Sequence, residues 1–278
     1  MSSPTAPVHE VIIQPRRGWV PIDWRELWEH RELLGFMVQR DLKVRYKQTV
    51  LGLAWAVLQP TFSVLIFSVI FGAFAKIPSD GVPYPVFAFA GMLPWMLFST
   101  AVTAGGQSLI NQQHLLTKVY MPRMFIPAAS IGTAVADFAI AFVVFLLLML
   151  AYGRIPGPSI AAVPLLVGIA VTAALGASLL LSSLTVSYRD FRFVLPFMMQ
   201  VWMYLSPVIY PVSMVPEKYQ WILAINPMVG VIDGFRSACL GQPWNWDTLG
   251  ISAGTAVGML AIGLFYFRRT ERRFADIA

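Results

Sequence analysis

The sequence predicts an all-α integral membrane protein: six transmembrane helices, an amphipathic interface helix ahead of them, and an outer re-entrant segment between the fifth and sixth. Three observations carry that class. Hydrophobic residues make up 57% of the 278-residue chain and charged residues 12%, a balance foreign to soluble globules. Several stretches reach the roughly 20 apolar residues needed to cross a hydrocarbon core of about 30 Å. The Lys and Arg residues, finally, gather on one side of those stretches.

The first predicted crossing runs from Leu53 to Phe74, behind the basic stretch Arg40 to Lys47. Tyr84 to Ala104, Ile126 to Tyr152 and Ile160 to Val186 give the next three, the fourth being long enough to tilt. A fifth, Phe193 to Ile209, is short and carries Pro196 and Pro207; the last runs from Leu249 to Phe267 and stops at Arg268-Arg269. Gln220 to Leu240 is also apolar, but it holds Asn226-Pro227, Asp233 and Arg236. Counted as a seventh crossing, it would put the basic tail opposite the basic N-terminal region, against the positive-inside bias. With six crossings, every Lys and Arg except Lys76, Arg154, Lys218 and Arg236 lies on the inner side. Both termini are therefore expected in the cytoplasm, and Gln220 to Leu240 is expected to be a re-entrant or surface-lying segment on the outer side, covered by protein or lining a cavity where it enters the membrane.

The domain plan follows. Residues 1–21, with Pro4, Pro7 and Pro15 and no apolar core, read as a flexible cytoplasmic tail and not as a signal peptide. Residues 22–47 form the interface helix, and 48–278 the six-span domain, with residues 212–247 as its outer re-entrant segment. In the interface helix, Asp23 and Glu26 have capping-box spacing. Trp24, Leu27, Trp28, Leu34, Val38 and Leu42 make an apolar face opposite Arg25, Glu29, Glu32, Gln39 and Lys43. Two Trp on that face suit the headgroup layer. The lone Cys239 excludes a disulfide framework and a cysteine metal set. A pI near 9.6 reflects charges dispersed beside membrane helices, not a nucleic-acid surface.

RDLKVRYKQTVLGLAWAVLQP (Arg40 to Pro60) resembles the approach to the first span in ABC-transporter permeases that export polysaccharides. Four further segments resemble the same family in order. They are YPVFAFAGMLPWMLFS (Tyr84 to Ser99), LLTKVYMPRMFIPAAS (Leu115 to Ser130), YRDFRFVLPFMMQVWMYLSPVIYP (Tyr188 to Pro211) and INPMVGVIDGFR (Ile225 to Arg236). The likeness covers residues 22–273, and TKVYMPR and PYPVFAFAGMLPW fit the O-antigen type best; Met121 stands where many relatives are expected to have Phe. The resemblance implies an inner-membrane permease, not an enzyme. Two copies would pair with two copies of a separate ATPase that binds ATP and Mg, and together move a lipid-linked glycan outward. The chain itself has no GxxxxGK[ST] phosphate loop and no cofactor of its own is expected.

Residue types suggest where that work is done. The loop Gln107 to Pro127 offers Leu115 and Leu116, flanked by His114 and Lys118 with Arg123 beyond, as an apolar anchor for the ATPase. Arg40, Lys43, Arg45 and Lys47 can draw a pyrophosphate-linked lipid to the inner headgroup layer, or simply set topology, and Gly52 lets backbone pass close by. A sugar conduit wants aromatic faces and weak hydrogen-bonding groups. Gln59, Ser63, Phe67, Ile70 and Phe74 share one helical face; Phe193, Phe197, Gln200, Val201 and Tyr204 share another. Asp137 inside the third span demands a partner or water: it could line a proton path, but a polar neighbour such as Thr133, or a place near an interface, is expected ahead of that. Asp233 and Arg236, a turn apart, are expected to pair. Trp244 and Trp246 read as belt anchors. The small residues of the fourth span, with Gly250, Gly254 and Gly258 of the last, read as helix-packing faces.

Other classes fare worse. A membrane glycosyl- or phosphotransferase needs clustered acids or His at the membrane face, and the inner loops hold only scattered ones such as Asp41 and Asp190. An ion-coupled transporter typically shows internal repeats and several intramembrane charges. Capsule, teichoic-acid, drug or small-lipid export remain alternatives within the family.

Overall fold

The computed structural model describes residues 24–47, 54–114 and 121–271. Among them the regular structure is helical. Ten helices matter: α1 (Trp24–Glu29), α2 (Arg31–Lys47), α3 (Ala54–Phe67, continuing as a π-helix over Ser68–Phe74), α4 (Tyr84–Asn111), α5 (Phe125–Ala151), α6 (Val163–Ser187), α7 (Phe191–Tyr204), α8 (Glu217–Ala224), α9 (Pro227–Leu240) and α10 (Trp246–Thr270). A 3₁₀ turn, Pro158–Ala162, leads into α6. In hydrocarbon every backbone amide needs an internal partner, which is why apolar runs of this length are continuous helices.

α4 is the hub. Its apolar stretch is 78% buried, against 11% for that of α3, which leans on the outside of the bundle. α6 and α10 meet backbone to backbone: a Cβ at Gly263 would collide with the Gly176 carbonyl. α4 and α6 meet through Gly105, where a Cβ would lie 2.5 Å from the Ser178 hydroxyl, which donates to the Ala101 carbonyl at 3.2 Å. Small residues here do what the sequence implies. Gly250, Gly254 and Gly258 do not: nothing lies within 4 Å of a Cβ at any of them, so the last helix packs through Gly263 instead.

Among the described residues five helices are long and apolar enough to cross: Ala54–Phe74, Tyr84–Asn111, Phe125–Ala151, Pro158–Ser187 and Trp246–Thr270. The stretch expected as a full fifth crossing is different. α7 has 14 residues, about 21 Å at 1.5 Å per residue, and gives way to turns after Tyr204. Pro207 and Pro211 explain the ending, since neither can donate to a continuing helix. α8 and α9 together pass the same length test but are bent by 100°. Asn226 makes that corner. Its side-chain oxygen caps α9 by accepting from the Met228 amide at 3.0 Å, its amide group donates to the Ser206 hydroxyl at 2.8 Å, and Pro227 follows at the first helical position. Gly241, at φ 73°, closes the other end.

α9 is buried along nearly its whole length, with Phe235 among Phe138, Phe142 and Phe145 of α5. Arg236 is 1% exposed. Its guanidinium does not form the expected ion pair with Asp233. It donates to the carbonyls of Val208 (2.8 Å) and Tyr210 (3.3 Å), and lies 3.7 Å from the centre of the Phe87 ring. The turns after α7 leave carbonyls without helical partners, and a planar fork on α9 is placed to satisfy them. Trp244 and Trp246 stack on each other with centroids 4.9 Å apart, Trp244 reaching over Gly234 while Trp246 stays exposed.

The expected single interface helix is two. The chain breaks at His30, whose ring lies 2.8 Å from the Glu26 carbonyl, and Asp23 falls outside the described residues. The face turned to the bundle is Leu27, Leu33, Leu34, Met37 and Val38, packed with Ile126 and Ala129 of α5. Trp28, expected on that face, is 70% exposed, with Arg31 lying 5.0 Å over its ring. Val38 seats directly on Gly132 of α5: a Cβ there would sit 3.4 Å from the Val38 Cβ.

Candidate functional site

A cavity of about 480 Å³ lies between α4, α5, the end of α2 and the lightly packed α3. That size is ordinary for a small-molecule pocket. Its apolar lining includes Pro60, Leu93, Met96, Leu97, Phe138 and Ala141, and its polar groups are Arg45, Tyr46, Gln59, Thr100 and Asp137.

Two consecutive residues at the end of α2 reach Asp137. Arg45 Nη1 lies 2.6 Å from Asp137 Oδ2, and the Tyr46 hydroxyl donates to Asp137 Oδ1. Burial, then the hydrogen bond to Asp137, pushes the Tyr46 phenol up to about 12, so it stays a donor at any physiological pH. Asp137 therefore has partners, but not the expected Thr133, whose hydroxyl donates to the Ser130 carbonyl one turn back at 2.8 Å. The partners come from 91 residues earlier in the chain, and helical spacing around Asp137 holds no trace of them.

The four cations expected to act together are split. Arg45 lines the cavity, while Arg40, Lys43 and Lys47 border a separate depression with Phe36, Gln39 and Val44. Arg40 is held by Asp41 at 2.7 Å and by the Gln112 side chain at 3.0 Å, tying α2 to the end of α4. Gly52 lies outside the described residues, as do Leu115, Leu116 and Lys118. Arg123 donates to the Glu271 carbonyl, and Arg268 bridges the Glu271 carboxylate at 2.9 Å. The α5 approach and the end of α10 are thereby joined.

The two predicted aromatic faces fare differently. On α7, Leu195 and Met199 face inward, leaving Phe193, Phe197, Gln200 and Tyr204 on one open face. On α3 the face divides. Gln59 enters the cavity, the Ser63 hydroxyl donates to the Gln59 carbonyl at 3.0 Å, Phe67 packs edge-on against Phe71 at 5.6 Å, and Phe74 is 80% exposed. The π-helical turns from Ser68 onward change the residue period, so positions sharing a face before Phe67 part company after it.

Among the described residues the apolar helices surround one buried hub, α4. Residues 32–240 match the family described as ABC-2 type transporter, and the chain belongs to that family. It is 33% identical over 216 residues to the O-antigen export system permease protein RfbA of Myxococcus xanthus, covering 77% of this chain and 82% of that one. A Klebsiella pneumoniae O-antigen export permease of the same name is 28% identical over 88% of this chain and 95% of its own. The polysialic acid transport protein KpsM of Escherichia coli is 26% identical over 84% and 91%.

Proposed function

We propose that this chain is the membrane permease of an ATP-driven exporter that carries a lipid-linked, O-antigen-like polysaccharide from the cytoplasmic to the outer face of the inner membrane. One observation carries the proposal: similarity to O-antigen export permeases spans most of the chain and nearly the whole of those relatives. Similarity to a polysialic acid transport protein over a comparable length keeps a capsule-type polymer as the second reading.

The working unit is two copies of this chain with two copies of an ATPase that binds ATP and Mg. The exposed face of α7 (Phe193, Phe197, Gln200, Tyr204) and that of α3 line the conduit between copies. Rings without strong charges suit a polymer that must slide and not stick. α7 and the turns after it complete a sixth crossing, so both termini lie in the cytoplasm. The bent pair α8–α9 enters from outside and returns, a reading supported by its 100° corner and the burial of α9. The α1–α2 segment lies at the inner headgroup layer, with Arg40, Lys43 and Lys47 toward lipid phosphates. The loop through Leu115, Leu116 and Lys118 docks in the ATPase, and Arg123 passes its motion to α10. Deleting the gene tests this. Lipid-linked glycan should collect in the cytosol-facing leaflet and the surface polymer should disappear; a normal surface polymer would contradict it.

A further inference from the structure

The cavity and the Arg45–Tyr46–Asp137 cluster are joined in a way that export alone does not explain. At roughly 30 Å³ for a group the size of a water molecule, 480 Å³ holds about sixteen such groups. That is room for one hydrocarbon chain. The lining is mostly apolar, and its polar groups include a guanidinium and a phenol hydroxyl, the donors that grip an oxyanion. In this structure the oxyanion is the chain's own: Asp137 takes Arg45 with one carboxylate oxygen and Tyr46 with the other. Neither group is sealed in, since the Arg45 side chain is 45% exposed and that of Asp137 is 21% exposed. Arg40, Lys43 and Lys47 border a separate depression on the same two turns of α2 and outweigh Asp41, so the field around the end of α2 favours an incoming anion.

We propose that Asp137 holds the place of a lipid phosphate. A single-chain lipid phosphate lays its chain in the cavity between α3, α4 and α5, takes Arg45 and Tyr46 from the carboxylate, and thereby releases the end of α2 from α5. The internal ion pair is thus a latch that the cargo's own headgroup opens. Gln59 and Thr100, which line the same cavity, offer the freed carboxylate an amide and a hydroxyl. The proposed occupant has one chain, so bulk two-chain anionic lipid should leave the latch closed. The inference rests on the export reading only for the origin of the lipid.

Binding of farnesyl phosphate to the full chain in phosphatidylcholine nanodiscs tests it. Because the internal competitor is partly exposed, its removal sits at the low end of coupling energies. Asp137→Asn should bind about fivefold tighter and Arg45→Gln at least about fivefold weaker, while farnesol is indifferent to both. Unchanged affinity in Asp137→Asn overturns the proposal, as does equal competition by phosphatidylglycerol. A second measurement leaves the cluster intact. Val38→Cys with Gly132→Cys places two thiols across the α2–α5 contact, and Cys239 is buried away from it. Farnesyl phosphate should slow their cross-linking several-fold and farnesol should not; an unchanged rate overturns the latch. Both assays read this chain alone, so their failure is distinct from a failure of the export reading, which surface polymer decides.

Discussion

Arg236 and Arg45 are both arginines set against the helix bundle, and they are held in opposite ways. Arg236 is sealed in, gives its protons to two backbone carbonyls and lies over Phe87. Its acceptors are fixed backbone, and burial keeps solvent from it. Arg45 is half in solvent and holds a carboxylate, a partner that another anion can replace. The same residue type serves as a fixed clasp at one end and an exchangeable contact at the other. Burial and the nature of the acceptor make the difference, since backbone carbonyls cannot leave and a carboxylate can.

That contrast is easiest to break at the clasp. Arg236→Ala removes two charge-assisted hydrogen bonds and a cation–π contact, and should cost about 3 kcal/mol or more, read as a large drop in unfolding midpoint in detergent. Lys should rescue little, because it lacks the planar fork. Gly91→Val should resemble it, since a Cβ at Gly91 would fall 2.6 Å from Arg236 Nη2 and 2.7 Å from the Val208 carbonyl. Next comes Gly263→Leu, which drives a side chain into the Gly176 backbone and should destabilise by about 1–3 kcal/mol, visible as reduced folded yield. Asp137→Asn belongs lower still. A partly exposed ion pair contributes about 0–1 kcal/mol, so the midpoint should barely move while lipid-phosphate affinity rises. Smallest of all, Gly250→Ala, Gly254→Ala and Gly258→Ala meet nothing and should stay within about 0.5 kcal/mol of the parent.

Much of the architecture was legible in the sequence because hydrocarbon imposes so few options. Four of the expected crossings are continuous helices close to the expected limits, and the Asn226-Pro227 corner behaves as its residues require. What escaped depends on distant chain. Nothing near Asp137 names Tyr46, and nothing near Arg236 names Phe87 or the carbonyl of Val208. The split of the α3 face escaped because a π-helical stretch breaks the period on which face assignments rest. Gly250, Gly254 and Gly258 have the spacing of a packing motif, yet in one copy of the chain they face open space. Spacing reports which residues share a face, not what lies opposite.

On the latch proposed above, export requires α2 to part from α5 where Val38 meets Gly132. Stapling Val38→Cys to Gly132→Cys, whose Cβ atoms would stand 3.4 Å apart, close to disulfide geometry, asks this directly in cells lacking the native gene. Oxidation should stop the appearance of new surface polymer and reduction should restore it. Undiminished export through the oxidised, fully cross-linked protein would contradict the account.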